Sequence, residues 1–300
     1  MFTIKEIWRY PVKSMIGEKL ETAQLTKNGI AFDRGWAIRD EKAQTVRGAK
    51  HIGDLMLFAS RYLSQEPAPG LPVPHAEITF PDGKVMTTED EGIHAALSEA
   101  LGRTVTLWPI QPAANTEFYG INSLEHGDML TEIRTIFALA DDEPLDLSAL
   151  NPNLLRKLSQ FVAPPGTFFD AMPIDVLTEA SLRYLKSLTP ESVVDVRRFR
   201  PNILLADDQE LCAPVEEEWL GKSLRIGAVD ISVVMRCPRC VMTTRVQEDI
   251  PADPQIMRTL VKHLNQCISV YGQIAVPGTI SVGQEVVPDM TATREYEDED

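Results

Sequence analysis

The sequence predicts an α+β protein that is mainly β, with an N-terminal β-barrel-like domain packed on a second β-barrel domain and peripheral helices. Three observations carry this reading. The chain has 300 residues, more than one compact core usually holds, because chains divide into domains beyond about 250 residues. Short apolar runs of strand length, separated by turn residues, recur through the first hundred or so residues and again after residue 170. Between them, Met129 to Ala140 and Leu147 to Phe161 carry apolar residues at three- and four-residue spacing, the helical period. The resulting organisation is an N-terminal domain at 1–115, a helical connection at 116–170, a second domain at 171–290 and an acidic disordered tail at 291–300. That tail ends in REYEDED, too charged to bury.

In order along the chain, Thr3 to Tyr10 alternates imperfectly between apolar and polar residues before Pro11, as a half-buried strand entering a loop does. Lys13 and Ser14 lie in that loop. Strands are expected at Trp36 to Arg39, at Ala76 to Phe80 ahead of the Pro81-Asp82-Gly83 turn, and at Thr104 to Trp108, with a helix at Gly92 to Leu101. In the connection, Asn151 suits a helix cap and Pro152 the first helical position, where its missing amide hydrogen does no harm. Ile174 to Leu177 reads as a strand, and Thr178 as the N-cap of a helix running to Leu188. Strands follow at Asn202 to Leu205, Leu224 to Ile226, Val229 to Met235, Ile274 to Val276 and Thr279 to Val287. Asp253 and Pro254 open a helix to about Leu264.

Composition limits the function. With 44% hydrophobic and 24% charged residues the chain can fold, which excludes wholesale disorder. A formal charge of −15 repels nucleic-acid phosphates and anionic bilayers on average, so neither is an expected partner, although a local basic pocket for a small anion is compatible with it. No apolar run approaches the 18 or so residues of a membrane span, and the amino terminus lacks the basic-then-apolar pattern of a secretory signal. Four cysteines are too few for a disulfide scaffold of this length, and the expected compartment is a reducing cytoplasm.

The segment from Val233 to Thr244 concentrates chemistry. An apolar strand ends at Pro238 and delivers Cys237, Cys240, Arg236, Arg239, Thr243 and Thr244 to one loop. The two arginines are expected to lower the pKa of a nearby thiol, and a thiolate is both a nucleophile and a soft ligand for a transition metal. The Cys-x-x-Cys spacing is equally half of a structural zinc site, a redox dithiol, or two inert thiols. A second cluster, Arg197-Arg198-Phe199-Arg200-Pro201-Asn202, places three guanidiniums together. These suit bidentate capture of phosphate, or form a solvated strand end paired with acids such as Asp195. The five histidines show no ligand spacing.

Six strings in order carry a resemblance: Tyr10-Pro11-Val12-Lys13-Ser14, Asp33-Arg34-Gly35-Trp36, Thr178-Glu179-Ala180-Ser181-Leu182, Phe199-Arg200-Pro201-Asn202, Pro238-Arg239-Cys240-Val241-Met242-Thr243-Thr244 and Pro277-Gly278-Thr279-Ile280-Ser281-Val282-Gly283. Together, over residues 1 to about 288, they resemble the MOSC family, and within it the branch of mitochondrial amidoxime-reducing components and their bacterial relatives. The resemblance implies a molybdenum-pterin cofactor clasped between two domains, with Cys240 as the metal ligand. It implies that Lys13, Ser14, Arg34, Arg200 and Asn202 hold the pterin and its phosphate, that Pro238 and Arg239 flank the metal loop, and that Asp170 is an acid beside the metal. Arg47 is the candidate for a further cofactor contact that relatives make after the Asp-Arg motif. The segment from 120 to 168 is longer and more helical than in the mitochondrial proteins, which bears on access to the metal.

The implied activity is reduction of N-hydroxylated compounds, with electrons from a separate ferredoxin-, flavodoxin- or cytochrome-type protein, because the chain has no nicotinamide fingerprint, haem motif or iron–sulfur cysteine set. The alternatives are a sulfur or cofactor carrier using a persulfide on Cys240, and a binding barrel that has lost the cofactor.

Overall fold

The computed structural model describes residues 1–64, 72–148 and 150–295; the last five positions of the predicted tail lie outside them. Its centre is a closed barrel of seven strands: β1 (Phe2–Arg9), β2 (Ile174–Thr178), β3 (Ile203–Asp207), β4 (Ser223–Ile226), β5 (Val229–Pro238), β6 (Cys267–Val276) and β7 (Glu285–Asp289). Around the barrel they run β3-β2-β6-β5-β4-β7-β1, and β1 closes on β3 with Ile7 opposite Ile203. The first strand of the chain is therefore a stave between two strands from its far end. All neighbours are antiparallel except β2 and β3, and that parallel pair is joined through the helix Glu179–Leu188, as a parallel connection requires.

Alternation explains the packing. Val176, Ile203, Leu205, Ile231 and Val233 point inward to the barrel core, while Leu177 and Leu204, one residue out of phase, face the helices Glu179–Leu188 and Gln255–Leu264 on the outer wall. The Thr178 hydroxyl accepts from the Ser181 amide, as the cap reading expects, and Asn151 accepts from the Asn153 amide ahead of Pro152–Leu158. Asp253 accepts from the Gln255 amide, and the helix begins at Gln255, just beyond Pro254. Two strand expectations are corrected in extent. The strand expected at Ile274 to Val276 begins at Cys267, and its first four residues are all buried, leaving no alternation to read. The run Thr279 to Val287 is two strands, Gly278–Ser281 and Glu285–Asp289, broken where Gly283 adopts a φ of +84°.

The rest of the first 110 residues forms three small three-stranded sheets; two of them surround a second core that includes Val12, Trp36, Phe58 and Leu97, while Ala23, Leu25 and Ile30 of the third pack into the barrel core. One of them borrows Gly278–Ser281 from the C-terminal half. Residues 116–170 contribute the helices Thr116–Tyr119, Met129–Ile136 and Pro152–Leu158. No helix among the described residues is long and apolar enough to cross a membrane.

Candidate functional site

At one mouth of the barrel, the loop after β1, the loop before β3, the end of β5 and the segment before β2 converge on a cleft. Lys13, Ser14, Arg34, Asp170, Arg200, Asn202, Pro238, Arg239 and Cys240 all border it. Nine of the ten site residues that the resemblance implies, all but Arg47, thus share one space.

The backbone is unusual there. Ser14, Arg34 and Arg200 have φ of +70°, +54° and +53°, a left-handed conformation that costs a side-chain-bearing residue on the order of 1 kcal/mol or more. Three such residues on one cleft mark a surface whose shape is held by its surroundings. The Arg34 amide donates to the Tyr10 carbonyl at 2.7 Å, its guanidinium pairs with Asp33, and Asp33 also accepts from the Tyr10 amide at 2.8 Å. Arg34 and Arg200 both lie over the Tyr10 ring, 5.0 and 4.1 Å from its centroid, a cation–π arrangement that brings two positive charges together.

Arg200 is the most informative member. Its Nη1 donates to the Met15 carbonyl at 2.7 Å, whereas its Nη2 is buried with no hydrogen-bond partner. Burial lowers its pKa to about 10, with neighbouring Arg34 adding to the effect and Tyr10 opposing it. A buried donor without an acceptor costs about 1–3 kcal/mol, and an anion in the cleft would remove that cost.

On the opposite wall Lys13 Nζ donates to Asp170 Oδ1 at 2.6 Å and to the Phe168 carbonyl at 2.7 Å, and Lys50 Nζ lies 3.3 Å from the same carboxylate oxygen. Burial disfavours the charge on Asp170, but the two ammonium groups outweigh it and hold the carboxyl well below the usual carboxylate range. Asp170 therefore stays ionised and anchors both lysines. Gly48 leaves room for Ser14 beside them: a Cβ there would come within 2.7 Å of the Ser14 hydroxyl.

The cysteines, three residues apart, separate. Cys237 lies beyond a register shift between Val233 and Met235 and is fully buried beside Asp175, 3.6 Å away. Cys240 follows the strand end, partly exposed, on the cleft. The hydroxyl of Thr243 donates back to the Cys240 carbonyl at 3.0 Å and Arg198 donates to the Thr243 carbonyl at 3.0 Å, fixing the loop. Burial pushes both thiols above their ordinary pKa. The expectation that Arg236 and Arg239 acidify a thiol is corrected: Arg239 acts on both thiols in the expected direction, but burial outweighs it; at Cys240 Lys50 lowers the pKa more than Arg239 does, and Arg236, expected to act here too, pairs with Glu217 instead.

Other expectations change in role. Arg239 and Asn202 border the cleft but turn their polar atoms inward; Asn202 donates to Asp33 at 2.9 Å and accepts from the Asp175 amide at 3.2 Å, locking three segments together. Arg197 pairs with Asp195, Glu248 and Asp249 at the surface. Arg47 is not at the cleft: its guanidinium reaches the Ser123 carbonyl at 2.9 Å and Glu132 at 3.6 Å. The side chain this segment supplies to the site is Lys50, whose signal was present in Thr45-Val46-Arg47-Gly48-Ala49-Lys50 three residues past the one chosen. Among the described residues no group of three or more His, Cys, Asp or Glu is placed to hold a metal, so a closed zinc site built on Cys237 and Cys240 has no further ligands there.

The barrel mouth thus carries a partly exposed thiol, an ionised acid between two lysines and a buried arginine donor without an acceptor. The family model for the MOSC domain matches residues 165–287, and that for the MOSC N-terminal beta barrel domain matches residues 1–99. The chain belongs to the MOSC-domain family. It is 38% identical over 256 residues to human mitochondrial amidoxime reducing component 2 and 27% identical over 254 residues to the Bos taurus protein, in each case over 81% of this chain and 66% of the relative. Human mitochondrial amidoxime-reducing component 1 is 27% identical over 316 residues, 95% of this chain and 82% of its own. The chain thus spans about two thirds of the component 2 proteins and about four fifths of component 1. Among solved structures, the YuaD protein from Bacillus subtilis covers 95% of this chain and 94% of its own with a TM-score of 0.44 and 8% identity, too weak a likeness to carry an argument.

Proposed function

We propose that the protein is a molybdenum-dependent oxidoreductase that reduces N-hydroxylated compounds with electrons from a separate redox protein of ferredoxin, flavodoxin or cytochrome type. The observation that carries the reading is the pairing, across one cleft, of the Cys240 thiol with the unpaired buried Nη2 of Arg200. Two of its surroundings fit a molybdenum-pterin cofactor: a soft sulfur ligand for the metal, and cationic donors for the phosphate. The four cysteines are free, in keeping with a reducing cytoplasm. The relatives' names supply the N-hydroxyl substrate class.

In this reading Cys240 holds the metal, Arg200 and Arg34 hold the phosphate, and Ser14 shapes the floor between them. Bound there, the cofactor supplies a metal centre able to take the oxygen of an N-hydroxyl group. Lys13 Nζ, buried and hydrogen-bonded to Asp170, holds a proton at the cleft wall; Asp170, kept ionised, orients that ammonium group. The buried Cys237 supports the strand end.

The test is molybdenum content of protein purified from a molybdate-fed host, followed by turnover of a model amidoxime with an artificial donor. Cys240→Ala is expected to lose at least nine-tenths of the metal, and Cys237→Ala to retain it. Wild-type protein with no molybdenum and a cyanide-labile sulfur on Cys240 would sink the enzyme reading in favour of a persulfide carrier.

A further inference from the structure

A second cavity of about 220 Å³ adjoins the cleft and shares Lys13, Ser14, Asp170 and Met242 with it. Its far walls are built by the 116–170 segment: Ile133 and Ile136 from one helix, Leu155 and Leu158 from another, and Leu150 between them. Polar residues cluster at the shared wall, Lys13 and Asp170, and at one latch where Glu132 meets His51 at 2.6 Å and Arg47 at 3.6 Å. Glu132 also accepts from the amides of Glu125 and His126, both at 3.0 Å, which ties the loop ahead of the helix Met129–Ile136 to the N-terminal domain. The insertion is held as a wall over the cleft, its apolar side chains facing the cavity.

We infer that this cavity receives the apolar body of the substrate, so that the protein selects N-hydroxylated compounds bearing an alkyl or aryl group. The inference rests on the N-hydroxyl reading above and names its substrate class. Its geometry fits one occupant: the ammonium and carboxylate at the shared wall, bonded to each other in the free protein, can exchange that bond for the acceptor and donor of a neutral N-hydroxyl head, which would lie on the Cys240 side, and among the described residues the adjoining room is walled mainly by apolar side chains. Pockets lined in this way draw ligand affinity from buried apolar surface and ligand orientation from a few polar groups. Leu130, exposed, sits on the outside of the same helix, so its apolar residues are divided between cavity and surface.

The test is calorimetric titration of the purified holoprotein with acetamidoxime, butanamidoxime and octanamidoxime, with no electron donor supplied, so that binding is read without turnover. Affinity should tighten along the series, by up to about fourfold for each methylene that becomes buried. Ile133→Ser and Leu155→Ser, each checked for folding, should each lower the octanamidoxime to acetamidoxime affinity ratio at least tenfold. Equal affinities across the series, no binding, or a ratio indifferent to both substitutions would overturn the inference, and the wild-type series alone decides it should either variant fail to fold. Turnover separates the two readings. Chain-length-dependent binding without reduction removes the N-hydroxyl activity and leaves the cavity, whereas reduction at rates indifferent to chain length removes the cavity's role and leaves the activity.

Discussion

The polar cleft and the apolar cavity meet at Lys13 and Asp170 but are made in opposite ways. The cleft is made of backbone: three left-handed residues, loops drawn from both ends of the chain, and a buried guanidinium nitrogen with nothing to bond. Such features cost stability in the free protein and are offset only when a ligand arrives. The cavity is made of side chains on short helices, latched by one carboxylate, and its apolar walls can change size or shape at little cost to the barrel beneath. A rigid holder beside an adjustable wall is the arrangement expected when the ligand is constant and the substrate varies.

The comparison breaks most sharply at Arg200. Arg200→Met should reduce cofactor retention by roughly 10- to 100-fold, the value of one charge-assisted hydrogen bond, and Arg200→Lys should not restore it, since an ammonium lacks the planar fork that reaches both the Met15 carbonyl and the cleft. Metal analysis after gel filtration reads this, and full retention in the Met variant would show that the unpaired nitrogen has no ligand. Glu132→Ala acts on the other region. Its side chain is nearly sealed off and serves four partners, so denaturant titration should show a loss of about 1–3 kcal/mol. Molybdenum content should stay at the wild-type level, and a variant that sheds the metal would mean that the two regions are one unit.

Glu216 probes the barrel away from both. Burial raises its pKa to about 7, against 4.5 for a free side chain, so the folded state binds the proton more tightly than the unfolded one. The associated stability is fully present below pH 4.5 and is lost as pH rises toward 7. Glu216→Gln should remove that dependence, narrowing the difference in Tm between pH 5 and pH 8 by roughly 2–4 °C, with metal content unaltered; an unchanged difference would place the titration elsewhere. The smallest effect belongs to Arg197, whose surface pairs are worth less than about 1 kcal/mol and fade with salt. Arg197→Ala should alter neither stability by more than about 0.5 kcal/mol nor cofactor retention, which a single unfolding curve and metal assay can check.

Much of the cleft was legible because its residues sit in short strings whose order survives any fold: Lys13-Ser14, Arg34, Arg200-Pro201-Asn202 and Pro238-Arg239-Cys240. What those strings do not carry is the direction of each side chain. Arg239 and Asn202 read as ligand-binding groups and are spent on their own backbone; Arg47 and Lys50 are three residues apart, yet only the second turns to Asp170. The strand beginning at Cys267 was read too short because both of its faces are covered, which erases the period of two.

The linear chain by itself determined the local pieces: the caps at Asn151 and Thr178, the strand stopped by Pro238, and the thiol placed just beyond it. Those follow from propensity and from the valence of single residues, which act over a few positions. Only the tertiary structure decided that β1 closes the barrel between β3 and β7, that Cys240 faces a cleft while Cys237 does not, and that the helices of the 116–170 segment wall an apolar chamber beside it. Those outcomes depend on pairings between residues more than a hundred positions apart, and such pairings are selected by burial of whole faces at once, which no short window of sequence contains.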